Sequence, residues 1–178
     1  MLNKILIILA IIIAALFGYA STRPDEFHVS RSVVINAKPA VVFTQVNNLN
    51  NWQFWSPWAT MDQDIKITLE GPTAGVSSIQ HWDGPKAGKG TMTTTESVTD
   101  QKIVYRLDFE KPFTATNTAT FVFTPQDKGQ TEVTWTVEGK NNLLAKIVGL
   151  FVNSEKTVGN QFETGLQNLK NMVEGTKG

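Results

Sequence analysis

Residues 113–124 read Phe113-Thr114-Ala115-Thr116-Asn117-Thr118-Ala119-Thr120-Phe121-Val122-Phe123-Thr124. Apolar Phe113, Ala115, Ala119, Phe121 and Phe123 alternate with threonine at 114, 116, 118, 120 and 124, a period of two that marks a strand with one face on a core and the other in water. β-branched threonine suits that half-exposed pleated surface. Asn117 breaks the apolar face.

The same period runs outward in both directions. Downstream, Gln126-Asp127-Lys128-Gly129 turns the chain into Val133, Trp135 and Val137. Upstream, Ile103, Tyr105, Leu107 and Phe109 oppose Val104, Arg106 and Asp108, and Pro112 ends the strand. Before these come Thr91 to Val98, Val76 to Asp83 and Ile65 to Glu70, separated by Gly88-Lys89-Gly90, Asp83-Gly84-Pro85 and Gly71-Pro72 with Gly75. Phe27 to Ile35 is the first strand, its apolar face interrupted by Arg31. Seven antiparallel strands follow, with hairpin-length connections except after the first. There Asn36 offers an N-cap, Pro39 a first helical turn, and Val41, Val42, Phe43 and Val46 a helical spacing. Asn47 to Met61, with Trp52, Phe54, Trp55 and Trp58 around Pro57, reads as a broken helix and loop.

The period changes again towards the C-terminus. Leu143, Leu144, Ile147, Val148 and Phe151 form an apolar cluster; Asn153 or Ser154 then caps a long helix carrying Val158, Phe162, Leu166, Leu169 and Val173 on one stripe. Gly159 and Gly165 each weaken that helix by ~1 kcal/mol relative to Ala, which points to close approach of the sheet or to simple tolerance.

At the other end, Ile5 to Ala20 is an unbroken uncharged run behind Lys4. A helix of that length reaches about 24 Å, slightly short of a ~30 Å hydrocarbon core, with Met1 and Leu2 available to extend it. Two readings fit: an uncleaved single-pass anchor with Phe17 and Tyr19 at the interface, or a secretion signal cleaved near Ala20. Either keeps Lys4 in the cytoplasm and sends the rest across, so the folded part is expected on the outer side of the cytoplasmic membrane. The divisions are therefore 1–20 as anchor or signal, 21–26 as linker, 27–174 as one α+β domain and 175–178 as tail.

Composition limits the chemistry. The 178 residues carry 16 Lys and Arg against 16 Asp and Glu, without the basic excess that nucleic-acid binding requires. No Cys is present, which excludes disulfides, thiolate nucleophiles and Cys-ligated metals. His28 and His81 are the two histidines, far apart and without metal-ligand spacing, so no catalytic or metal constellation is expected and no cofactor is implied. Glu96, Asp108 and Glu110 read as solvated strand positions rather than an acid pair.

The chain resembles the START-like or Bet v 1-like superfamily, also called the polyketide cyclase and lipid transport (SRPBCC) superfamily. Arg31 to Pro39 with Val42-Phe43, Trp52 and Trp55-Ser56-Pro57-Trp58, Gly71-Pro72 with Gly75, and Trp82 followed by Gly88 and Gly90 carry the likeness. Lys111-Pro112-Phe113, Thr131 to Trp135 and Gly165 to Lys170 continue it. The resemblance implies a helix-grip fold, a seven-stranded antiparallel sheet wrapped around the C-terminal helix with an apolar cavity between. It does not name a ligand, since such domains serve carriers, receptors, cyclases and chaperone-activating modules.

Binding of a hydrophobic small molecule (a lipid, quinone or aromatic metabolite) is thus the first expectation. The alternatives are a cyclase or dehydratase-like enzyme using the same pocket and a protein-interaction module with a filled core. Trp55, Trp82, Tyr105, Phe121, Trp135 and Phe162 offer rigid ligand surfaces, and equally good core. Asn117 and Glu96 stand on apolar faces, where a buried polar group without a partner costs ~1–3 kcal/mol. Each is expected to be hydrogen-bonded, wet or presented to a ligand, which makes both pocket markers, unless a bulge turns it outward. Trp55-Ser56-Pro57-Trp58 is expected to plug one end of the grip.

Overall fold

All seven alternating segments join one antiparallel sheet. The computed structural model describes residues 2–141, 143–150 and 154–175. The strands are β1 (Glu26–Ile35), β2 (Lys66–Glu70), β3 (Ile79–Gly84), β4 (Gly88–Val98), β5 (Lys102–Lys111), β6 (Ala115–Gln126) and β7 (Gln130–Lys140). Their spatial order is β1-β7-β6-β5-β4-β3-β2, a meander whose first strand is carried across to pair with the last. Helices are α1 (Leu2–Ser21), α2 (Pro39–Asn47), α3 (Trp52–Trp55), α4 (Pro57–Met61), α5 (Leu143–Val148) and α6 (Ser154–Gly175).

Register turns the alternation into rows across the inner face. One row runs Arg31, Trp135, Phe121, Ile103; the next runs Val29, Val137, Ala119, Tyr105, Thr94; a third runs Phe27, Gly139, Asn117, Leu107, Met92. Ala115 opposite Phe109 starts a fourth. The stripe Phe162, Leu166, Leu169 and Val173 of α6 is buried against this face. The two helix glycines serve close approach. A Cβ on Gly165 would lie 2.9 Å from Pro57 and 3.0 Å from the Trp135 ring, and one on Gly159 would meet the Arg31 guanidinium at 2.2 Å. Arg31 interrupts the first strand's apolar face because it reaches over that gap to Glu163, Nε to Oε1 at 2.7 Å.

Several expected boundaries move. Asn36 does not cap α2: Lys38 holds the N-cap position without a side-chain bond, and the Asn36 backbone N–H donates to Glu174. The third strand begins at Ile79 rather than Val76, because Gly75 and Ser77 take positive φ and hold the chain in a turn. Phe113 precedes β6 and is exposed. Helix α6 starts at Ser154; Asn153 and Phe151, read as cap and apolar cluster, lie outside the described residues. At the N-terminus α1 spans 20 residues, about 30 Å at 1.5 Å per residue. It is long and apolar enough to cross a membrane.

Candidate functional site

The centre of the grip is solid. Trp135 and Phe162 stack with centroids 4.1 Å apart and planes 8° from parallel, and Phe121 stacks on the other side at 4.8 Å. Trp55 meets both Phe121 and Trp135 edge-on at 6.1 and 5.9 Å. Tyr105 closes the cluster, its hydroxyl donating to the Val46 carbonyl at 2.7 Å. Burial pushes the Tyr105 phenol far up, against a smaller opposing effect of its hydrogen bond with Trp52. Trp52, which the sequence did not single out as a site residue, donates to the same Val46 oxygen at 2.8 Å. The five aromatics Trp55, Tyr105, Phe121, Trp135 and Phe162 therefore pack on one another, and the buried indole N–H groups of Trp55 and Trp135 have no partner. Trp55 is buried in the cluster, and Pro57 lies against Gly165 of α6.

Trp82 lies elsewhere. Its ring covers Gly90, where a Cβ would come within 2.3 Å, and meets Phe109 edge-on at 5.4 Å. Glu96 does not face the grip. A bulge between Thr94 and Glu96 brings Glu96 opposite Val104 on the outer face, where it pairs with Lys102 at 2.8 Å. The extra residue reverses the alternation, so Glu96 points away from the grip. Asp108 and Glu110 are likewise engaged outside, with Arg106 and Lys89 at 2.9 and 2.8 Å.

A cavity of about 810 Å³ opens at one end of the sheet, beyond the aromatic cluster. It forms where α6 stops short. Glu155 and Val158 in the first turns of the helix line it, but the rows through Asn117 and Ala115 extend past the helix start. Phe27, Val29, Phe109 and Ala115 give it apolar walls, and Pro112, Phe113, Ala145, Gly149 and Leu150 its rim. The volume falls within the range of small-molecule sites. Of the residues expected to face a ligand, Asn117 lines it; the other seven do not.

Asn117 sits there because Gly139 opposite it has no side chain. A Cβ on Gly139 would stand 2.2 Å from Asn117 Oδ1 and 2.9 Å from the Phe27 ring. Asn117 Oδ1 is buried without a hydrogen-bond partner. Asn117 thus adds a polar group beside Phe27, Val29, Phe109 and Ala115, in a lining that Glu26, His28, Lys140 and Asn141 also share. Charges gather at the entrance. The Lys146 ammonium bonds the Asp25 carboxylate and holds it below the usual carboxylate range. His28 stands 3.8 Å from Glu138, Glu155 4.0 Å from Arg31, and the Arg23 guanidinium lies 5.3 Å from the centre of the Tyr19 ring. The lining residues missed by sequence reasoning, Phe27, Phe109 and Ala115, carried one usable signal: they occupy inward positions at strand ends, where a covering helix runs out.

A sheet that grips its terminal helix and keeps a partly apolar hollow at one end defines the class of helix-grip α+β domains. Residues 26–174 match the family described as polyketide cyclase/dehydrase and lipid transport, and the chain belongs to that family. The family points to a hydrophobic-ligand-binding domain. No curated protein sequence matches the chain. Solved structures share the fold at low identity. Protein CV1439 from Chromobacterium violaceum superposes with TM-score 0.60 at 16% identity, over 85% of this chain and 99% of that one. The Aha1 dimer from Colwellia psychrerythraea gives 0.61 at 14% over 85% and 99%, and hypothetical protein jhp0584 from Helicobacter pylori 0.64 at 12% over 83% and 88%.

Proposed function

We propose that this protein is a membrane-anchored carrier or sequestering protein for a hydrophobic small molecule, a lipid, quinone or aromatic metabolite, held in the end cavity on the outer side of the cytoplasmic membrane. The observation that carries the reading is the 810 Å³ hollow in which Asn117 stands among Phe27, Val29, Phe109 and Ala115. Apolar burial supplies affinity at ~25 cal/mol per Å², while a hydrogen bond to the amide orients the occupant. The anchor rests on α1: Ile5, Leu6, Ile7, Ile8, Leu9 and Ile11 are each more than half exposed, which in water is costly and in lipid is favourable.

Full-length protein purified from native membranes, extracted with organic solvent and analysed by mass spectrometry, is expected to release a stoichiometric apolar compound. Alkaline washing of the same membranes should leave the chain in the pellet. The packed aromatic centre favours a second reading, a protein-interaction module acting through its surface. Absence of any extractable compound would support that reading and overturn the carrier.

A further inference from the structure

We infer that the cavity mouth rests on the lipid bilayer, so that its occupant passes between leaflet and cavity without crossing water. This rests on the anchored-carrier reading above and adds the direction in which the site opens. Four residues, Thr22 to Asp25, separate the end of α1 from the start of β1, a reach of at most ~14 Å. They are tied down at the mouth. The Asn141 amide donates to the Asp25 carbonyl at 2.7 Å, its side chain donates to the Pro24 carbonyl at 3.2 Å, and Lys146 of α5 bonds the Asp25 carboxylate. Arg23 and Pro24 themselves line the cavity. Whatever surface α1 enters is therefore the surface the mouth faces.

The rim has the chemistry of a bilayer interface. Phe113 of the rim is 48% exposed and Leu143, which begins α5, 44%, while Tyr19 and Phe17 are exposed at the end of α1. Aromatic and aliphatic side chains beside Arg23 and Lys140 match the amphipathic layer where rings and long basic side chains settle at headgroup depth. The partner is the phospholipid of the outer leaflet.

The absence of Cys from the chain makes the test direct. Single variants Phe113→Cys, Leu143→Cys and Val98→Cys, each labelled with an environment-sensitive fluorophore, are reconstituted full-length into phosphatidylcholine vesicles with and without spin-labelled phosphatidylcholine quenching near the headgroups. Val98 ends β4 ten residues from Gly88 at the mouth end, ~33 Å away along the strand. Labels at 113 and 143 are expected to lose about half of their emission, and the label at 98 almost none, as befits groups seated at the headgroup boundary. Retention of the chain in alkali-washed vesicles with all three labels equally unquenched overturns the bilayer-facing mouth and leaves the anchor standing. Release of the chain from the vesicles overturns the anchor, and this inference with it.

Discussion

Asp62 shows how much one buried carboxylate does for this domain. Its Oδ2 accepts the backbone N–H groups of Lys86 and Ala87, both at 2.8 Å, tying the end of α4 to the β3–β4 turn. Burial alone would raise this carboxyl, but the N–H donors of Ala87, Lys86 and Asp64 and the Lys86 charge outweigh it and hold it below the usual carboxylate range. Because the folded group titrates below its unfolded counterpart, its stabilisation is complete above about pH 4 and fades as pH falls through the lowered folded value. Thermal melts should therefore show a gap between wild type and Asp62→Asn that is full at neutral pH and shrinks in acid; a gap independent of pH would show that the carboxylate's charge is irrelevant. The helix glycines give a second contrast. Gly165→Ala pushes a methyl against Pro57 and the Trp135 ring, and overpacking of ~1–3 kcal/mol outweighs a propensity gain of ~1. Gly159→Ala displaces only the far end of Arg31 and its ion pair with Glu163, worth ~0–1 kcal/mol, so the two effects nearly cancel. Urea titrations should rank Gly165→Ala well below Gly159→Ala in stability. At this scale the sequence was half legible. Asn117 and Glu96 broke their alternations in the same way, yet one bulge residue, invisible in side-chain chemistry, sends Glu96 outward.

Among the elements, α6 and the central strands hold most of the core. Phe162 lies flat on Trp135 and is 1% exposed, so Phe162→Ala should cost about 3–5 kcal/mol, read from the denaturation midpoint at unchanged slope. A loss under about 1 kcal/mol would mean that the stack contributes little beyond filling space. Strands were the most readable elements, because a period of two over six or more residues has few rival explanations. The cap of α2 is not legible from composition, because Asn36 is the better capping residue type while the extended Lys38, directly before Pro39, holds the position. Aromatic abundance announced a large core but not its arrangement; five rings close on one another because register sets Trp135 beside Phe121 and α6 lays Phe162 across them.

For the molecule as a whole, the hollow was foreseeable in kind and not in place. Its position follows from where α6 begins relative to the rows of Asn117 and Ala115, a comparison of lengths across elements that no local pattern contains. Filling it tests it: Ala115→Trp should abolish recovery of the bound compound while leaving the melting temperature within a few degrees of wild type, since the added ring enters empty space. Retained compound in a stable Ala115→Trp protein would move the site elsewhere. The route of β1 across the sheet to β7 has a further bearing on how this protein comes into being. Ser30 and Thr136, hydrogen-bonded at 2.9 Å, are 106 positions apart, and closure over such a span delays assembly. Synthesis must run on through β7 before the opening strand ceases to be an orphan. Until then its oily side needs shielding from other nascent chains, so maturation waits on the seventh strand.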